Sequence, residues 1–135
     1  MSEKLRSRLF FIGALWNLLG GAAIVLGTGI IFGLAKLSPP VPEIYYYAWI
    51  ALFMTFGIGY WMVSRDFEGN RNIVILGVIG KVAFSVIFIV QFFACKGLIP
   101  PLFWIPVIGD LIFALLFGIS LASPSSRISR TKEPL

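Results

Sequence analysis

The sequence predicts an all-α membrane protein, a four-transmembrane-helix bundle with both termini in the cytoplasm. Composition is the first reason. Of 135 residues, 59% are hydrophobic and 13% charged, and the mean hydropathy is +0.94. That leaves too little polar surface to cover a water-soluble globule. Patterning is the second. Four apolar runs, at 9–35, 45–63, 73–95 and 102–122, each reach the roughly 20 residues a helix needs to cross a hydrocarbon core of about 30 Å. A transmembrane barrel would show period-two alternation, and Val74-Ile75-Leu76 and Leu115-Leu116-Phe117 do not. The third is charge placement. Lys4, Arg6, Arg8, Arg65, Arg71, Arg127, Arg130 and Lys132 fall on one side of four alternating spans, and only Lys36 and Lys96 on the other. Basic residues favour the cytoplasmic side.

Residues 1–8 form a short basic tail ahead of the first span. The run that follows is too long for a signal-peptide core, and Gly33-Leu34-Ala35-Lys36 is a poor cleavage context. It reads as a retained span, longer than the membrane needs, which should tilt or begin outside the hydrocarbon. Loop 36–44 is proline-rich and should be extended. Span two begins with Tyr45, Tyr46, Tyr47 and Trp49, which with Trp104 mark the outer interface; Tyr60 and Trp61 mark the inner one. Loop 64–72 has mixed charge and a Gly69-Asn70 turn signal. Pro100 and Pro101 suit the first turn of span four. Pro106 either kinks that span or sits in an irregular first turn. Residues 123–135 form a second basic tail, expected to be disordered. No loop can hold a soluble domain, so any chemistry belongs to the bundle or its rims.

Several functions are excluded or unsupported. The chain has no histidine, which removes the usual haem, zinc–imidazole and imidazole-base sites. Cys95 is the single cysteine and reads as a small apolar residue, since a disulfide relay needs a pair. No glycine-rich phosphate loop follows a strand. No catalytic set, metal site or cofactor is therefore expected. The net charge of +5 is explained by topology, and nucleic acid is not an expected partner. The lipid bilayer is, with weak attraction between the basic tails and anionic headgroups.

Two charges stand inside apolar runs, Lys81 and Asp110. An ionisable residue at membrane depth is a functional-site candidate by default. At four-residue spacing each span carries a small or polar stripe: Gly13, Asn17, Gly21; Ala51, Thr55, Gly59; Gly77, Lys81, Ser85; and Pro106, Asp110, Ala114, Gly118. Such stripes let helices approach closely in lipid and should line the interior. Counting from the span ends at about 1.5 Å per residue places Asn17, Thr55 and Lys81 about 12 Å deep on the cytoplasmic side, with Asp110 about 5–6 Å deeper. A polar layer of Asn17, Thr55, Lys81 and Asp110 follows, with Tyr60 at its cytoplasmic mouth. Three roles are open for the charges. They neutralise one another between spans three and four, or Lys81 reaches inward toward Asp66 or Glu68, or the pair serves a ligand or proton site. Gly29 and Gly33 match the small-xxx-small dimer pattern, which makes a homo-oligomer or a larger membrane complex plausible.

Asn17 with its neighbouring glycines, Gly57-Ile58-Gly59-Tyr60 leading to Arg65-Asp66, Asn70-Arg71, Gly80-Lys81 and Gly109-Asp110-Leu111-Ile112-Phe113-Ala114 resemble small uncharacterised bacterial membrane proteins of the DoxX-like group. The resemblance covers the four-helix core. It implies a four-helix bundle in a bacterial cytoplasmic (inner) membrane, and for some members links to quinone or sulfur redox complexes, for others assembly and stress roles. This chain lacks the cysteine pair and metal ligands a direct redox role would need. Small multidrug exporters share the length and topology but depend on an acidic residue in helix one, where this chain has Asn17. The segment 65–71 is faintly similar to the charged loop of glutathione-related eicosanoid enzymes. The expected function is an accessory or small-amphiphile-binding membrane protein with Asn17, Thr55, Tyr60, Lys81 and Asp110 around the site and Arg65, Asp66 and Arg71 on the cytoplasmic loop. The alternative is a proton-coupled small-molecule transporter using Lys81 and Asp110.

Overall fold

The computed structural model describes residues 1–94 and 99–123, and these are helical throughout apart from turns and loops. Five α-helices follow in order: α1 (Glu3–Leu26), α2 (Thr28–Leu34), α3 (Glu43–Arg65), α4 (Arg71–Ala94) and α5 (Trp104–Ala122), the last preceded by a 3₁₀ turn at Pro101–Phe103. Four segments, Glu3–Leu26, Glu43–Arg65, Arg71–Ala94 and Pro101–Ala122, are long and apolar enough to cross a membrane. Outward side chains such as Leu19, Ile58, Ile87 and Leu115 are more than half exposed, so the exterior is as apolar as the interior. Cys95, Lys96 and the tail from 124 onward lie outside the described residues.

The first apolar run is two helices rather than one tilted span. α1 starts ahead of the predicted boundary, where Ser2 Oγ accepts from Leu5 N at 3.3 Å and caps the first turn. It breaks at Gly27, which leaves helical geometry (φ −101°, ψ 10°). Thr28 Oγ1 donates back to Ile24 O at 2.8 Å, a bond that bends helices. The excess length of the run is thus absorbed by a break. α2 ends at a Schellman-type cap: Leu37 N donates to Phe32 O (3.0 Å) and Lys36 N to Gly33 O (3.1 Å), with Lys36 left-handed at φ 56°. Pro106 is the third residue of α5. Its missing N–H falls among the free donors of a helix start, so it imposes no kink.

The helices associate as two close pairs, α1 with α3 and α4 with α5. Glycine permits the first pairing. A Cβ at Gly57 would lie 2.8 Å from Leu18 Cγ and 3.0 Å from Asn17 Cβ. A Cβ at Gly21 would overlap Met54 Cγ. The pairs join at the end carrying both termini, over a core of Phe10, Ala14, Tyr60, Val63, Val74 and Phe117. Phe10 stacks on Phe117 at 4.4 Å, and Tyr60 meets the Phe117 ring edge-on at 4.9 Å. Tyr60 is 1% exposed; it is an interior residue and not part of an interfacial belt. It fits because its ring lies over Gly77, where a Cβ would come within 2.6 Å of Tyr60 Cε1.

The stripe predicted for span two faces the wrong way. Ala51 and Thr55 are exposed, and Thr55 Oγ1 donates to Ala51 O of its own helix at 2.9 Å. The buried face of α3 runs through Ile50, Gly57, Tyr60, Val63 and Ser64. A single hydroxyl can be satisfied on its own helix, so it does not dictate which face turns inward. In the other spans Asn17, Gly77, Lys81, Ser85, Asp110 and Ala114 are buried as expected, whereas Gly118 has nothing within 4 Å of a would-be Cβ.

A polar clasp closes the end that bears the termini. Arg6 is 3% exposed. Its Nη2 donates to Ser123 O at 2.7 Å, Nη1 approaches Glu68 Oε1 at 3.5 Å, and its Cζ lies 4.6 Å over the Phe67 ring. Arg71 Nη2 donates to Leu121 O at 2.6 Å. Both arginines thus serve the unpaired carbonyls at the α5 C-terminus, where the helix dipole favours cations. Arg6→Ala is expected to lose about 2–3 kcal/mol, as for hydrogen bonds to a charged group. Arg6→Lys should recover less than half, because an ammonium lacks the planar fork that serves two acceptors. Equilibrium unfolding in mixed micelles checks both.

Candidate ligand site in the bundle interior

The polar layer is real, and it differs from the expected one by a residue. Lys81 Nζ lies 2.5 Å from Asp110 Oδ1 and 3.3 Å from Asn17 Oδ1. Trp16 Nε1 donates to the same Asp110 Oδ1 at 3.3 Å. Asn17 Nδ2 donates to Phe53 O at 2.8 Å, which fixes the amide with its oxygen toward the lysine. Lys81 and Asp110 are each 4% exposed. One network therefore ties α1 (Trp16, Asn17), α3 (the Phe53 carbonyl), α4 (Lys81) and α5 (Asp110).

Local sequence explains each placement. Asn17 sits next to Gly57, where α1 and α3 approach closely and the Phe53 carbonyl of α3 comes within reach. Trp16 approaches α5 because Gly109 has no side chain; a Cβ there would overlap the indole Cζ2. Lys81 stretches between the Tyr60 and Phe113 rings, its Nζ 5.5 Å from each centroid, a geometry that supplements its ionic contacts. The lysine does not extend toward Asp66 or Glu68, because Asp110 holds it.

Of the residues singled out from sequence, Asn17, Tyr60, Lys81 and Asp110 gather at this place. Thr55 does not join them. Arg65 and Asp66 are exposed and belong to the α3–α4 turn at the clasp end of the bundle. Asp66 Oδ1 accepts from Gly69 N at 3.0 Å, and Asn70 Nδ2 donates to Asp66 O at 2.8 Å. Asp66 thus closes the 66–70 turn. Arg71 serves the clasp. Sequence reasoning missed Trp16, although a tryptophan in the middle of a span, away from the interface, needs a partner for its N–H. It also counted Arg6 as a topological charge alone. Among the described residues no cluster of histidine, cysteine or carboxylate side chains could hold a metal ion.

Two cavities adjoin the network. A small one of about 150 Å³ is lined by Asn17, Lys81 and Asp110 together with Phe56, Tyr60 and Gly80. A larger cleft of about 650 Å³ lies in the half of the bundle away from the termini. Its walls include Leu19, Ala23 and Ile105, and it shares Trp49, Phe53 and Phe84 with the small cavity. An apolar body leading to a few convergent polar groups is the usual form of a small-molecule site. No protein-family model, curated protein or solved structure matches the chain. The fold and the site define its class: a helical protein with four membrane-length apolar helices around a buried ionic network beside an apolar cleft.

Proposed function

We propose that this is a multi-pass membrane protein, both termini in the cytoplasm, which binds a small amphiphile with its tail in the cleft and its polar head at Asn17, Lys81 and Asp110. The observation that carries the reading is a buried ion pair lining a cavity of about 150 Å³, which shares the walls Trp49, Phe53 and Phe84 with an apolar cleft of about 650 Å³. An ion pair buried for stability alone is a poor bargain against apolar residues of the same shape. One that borders a cavity provides hydrogen-bonding groups that remain usable. The apolar exterior supports the membrane location, and the gathering of Lys4, Arg6, Arg8, Arg65 and Arg71 near the termini supports the orientation. The accessory role, the DoxX-like resemblance and the bacterial inner membrane rest on the sequence motifs. A proton relay through Lys81 and Asp110 is the weaker reading, because the packed rings of Phe10, Tyr60 and Phe117 occupy the route from the pair to the termini.

The test uses Gly80→Leu. Gly80 lines the small cavity, and a Cβ there meets only Phe56 Cζ, at 3.8 Å. The larger side chain fills the space and leaves the ionic network intact. Mass spectrometry of protein extracted with its surrounding lipid should find one amphiphile enriched over the bulk membrane, and at least ten-fold depleted in Gly80→Leu. Lipid composition equal to the bulk in both proteins defeats the proposal.

A further inference from the structure

The cleft has two closed ends and an open side. Toward the termini, Phe10 stacks on Phe117 and Tyr60 meets the Phe117 ring edge-on, each of the three 1% exposed or less. At the opposite end Phe32 of α2 is buried between Tyr46 and Phe103, with ring centroids 5.6 and 5.9 Å away. Between α1 and α5 the situation differs. The two helices touch at Gly13–Phe117 and Trp16–Gly109 and beyond that level make little contact. Leu19, Ala23 and Ile105, which line the cleft there, are exposed.

The chemistry of the adjoining small cavity, lined by Asn17, Lys81 and Asp110, restricts the head group. Lys81 and Asp110 cancel as a pair, so a ligand with net charge would bring an uncompensated charge into a low-dielectric interior. The lysine ammonium has three N–H donors, of which two reach Asp110 and Asn17. Both hydrogen bonds to the Asp110 carboxylate end on Oδ1, so Oδ2 is open to a donor. A head with one acceptor and one donor, a hydroxyl, satisfies both at once.

We infer that the site takes a neutral amphiphile with a hydroxyl head, which reaches it sideways from the hydrocarbon through the gap between α1 and α5. The inference rests on the amphiphile-binding function proposed above. Its test reads the tryptophans that line the cleft, Trp16 and Trp49, in a Trp61→Phe/Trp104→Phe background reconstituted in lipid nanodiscs. The quenchers are 12-bromododecanol, 12-bromododecanoate, 12-bromododecyltrimethylammonium and 1-bromododecane.

The alcohol should quench saturably at a membrane mole fraction at least ten-fold below the other three. Ala23→Phe and Ile105→Phe, on opposite lips of the gap, should each raise its half-saturation five-fold or more. Val86→Phe, an exposed position on α4, should leave it unchanged. Equal, non-saturating quenching by all four probes overturns both the binding function and this inference. Saturable quenching by a charged probe at an equal or lower mole fraction keeps the binding function and overturns the neutral head. Saturable alcohol quenching indifferent to Ala23→Phe and Ile105→Phe overturns the sideways route.

Discussion

Removing one member of the Lys81–Asp110 pair is expected to cost about 3–5 kcal/mol of folding free energy, and removing both together far less. The reason is asymmetry. Each charge is 4% exposed, so neither finds water once its partner is gone. Asp110→Asn leaves the lysine ammonium with only the Asn17 oxygen at 3.3 Å and an amide in place of the carboxylate. Lys81→Met leaves the carboxylate with only the Trp16 indole, also at 3.3 Å. The double variant Lys81→Met/Asp110→Asn removes both charges. A double-mutant cycle in mixed-micelle unfolding should therefore show a coupling of at least about 2 kcal/mol, well above the value under 1 kcal/mol usual for neutral interhelical contacts in membranes. Thr55→Val serves as a control, expected within about 0.5 kcal/mol of the parent, as for an exposed position. Additive singles with no coupling would mean that each charge is served by water in the adjoining cavity, and the pair would lose its structural role.

Enlarging Gly57 should do comparable harm by packing alone. Gly57→Ala places a carbon 2.8 Å from Leu18 Cγ and 3.0 Å from Asn17 Cβ. The closer atom is a branch point near the backbone, so it cannot simply swing aside. A loss of about 1–3 kcal/mol is expected, typical of overpacking, and it offsets the gain in helix propensity of up to about 1 kcal/mol. Gly57→Leu should prevent α1 and α3 from docking at their native distance. Gly118→Leu, at a position with nothing within 4 Å, should be tolerated. The same unfolding assay ranks all three, and a tolerated Gly57→Leu would refute the close α1–α3 approach. Asn17 touches the new carbon, so under the proposed amphiphile-binding function Gly57→Ala should also reduce amphiphile enrichment.

The architecture was legible because it depends on properties that accumulate over many residues. Twenty apolar side chains in a row specify a membrane-length helix whatever their order. The break at Gly27 was not legible, since it turns on one glycine and one back-bonding hydroxyl within a uniform run. Site residues divide along similar lines. Lys81, Asp110 and Asn17 are conspicuous because a strongly polar group in an apolar run must find a partner inside. Thr55 misled for the opposite reason: its hydroxyl is content with the carbonyl four residues back, so its polarity says nothing about direction. Tyr60 was expected at a mouth and stands in the interior, because Gly77 on another helix makes room for its ring. Arg6 and Trp16 were overlooked because each has an ordinary explanation, a topological charge or a lipid-facing aromatic. Only contacts distant in sequence disclose their other use.

The Arg6 contact carries an implication for how the chain is assembled. Arg6 lies at the end of the first turn of the first helix made, and it donates to Ser123 O, 117 residues later in the chain. Through the synthesis of α1 to α4 that bond has no acceptor. The α1–α3 pair can dock early, since Gly57, Leu18 and Asn17 are all present once α3 is made. The ring of helices is shut only when the end of α5 arrives between Arg6 and Arg71. A chain truncated within α5 would keep its first pair and leave the latch open, with Arg6 uncovered at that end of the bundle. A basic residue of the first helix thus reports whether the last helix has been delivered.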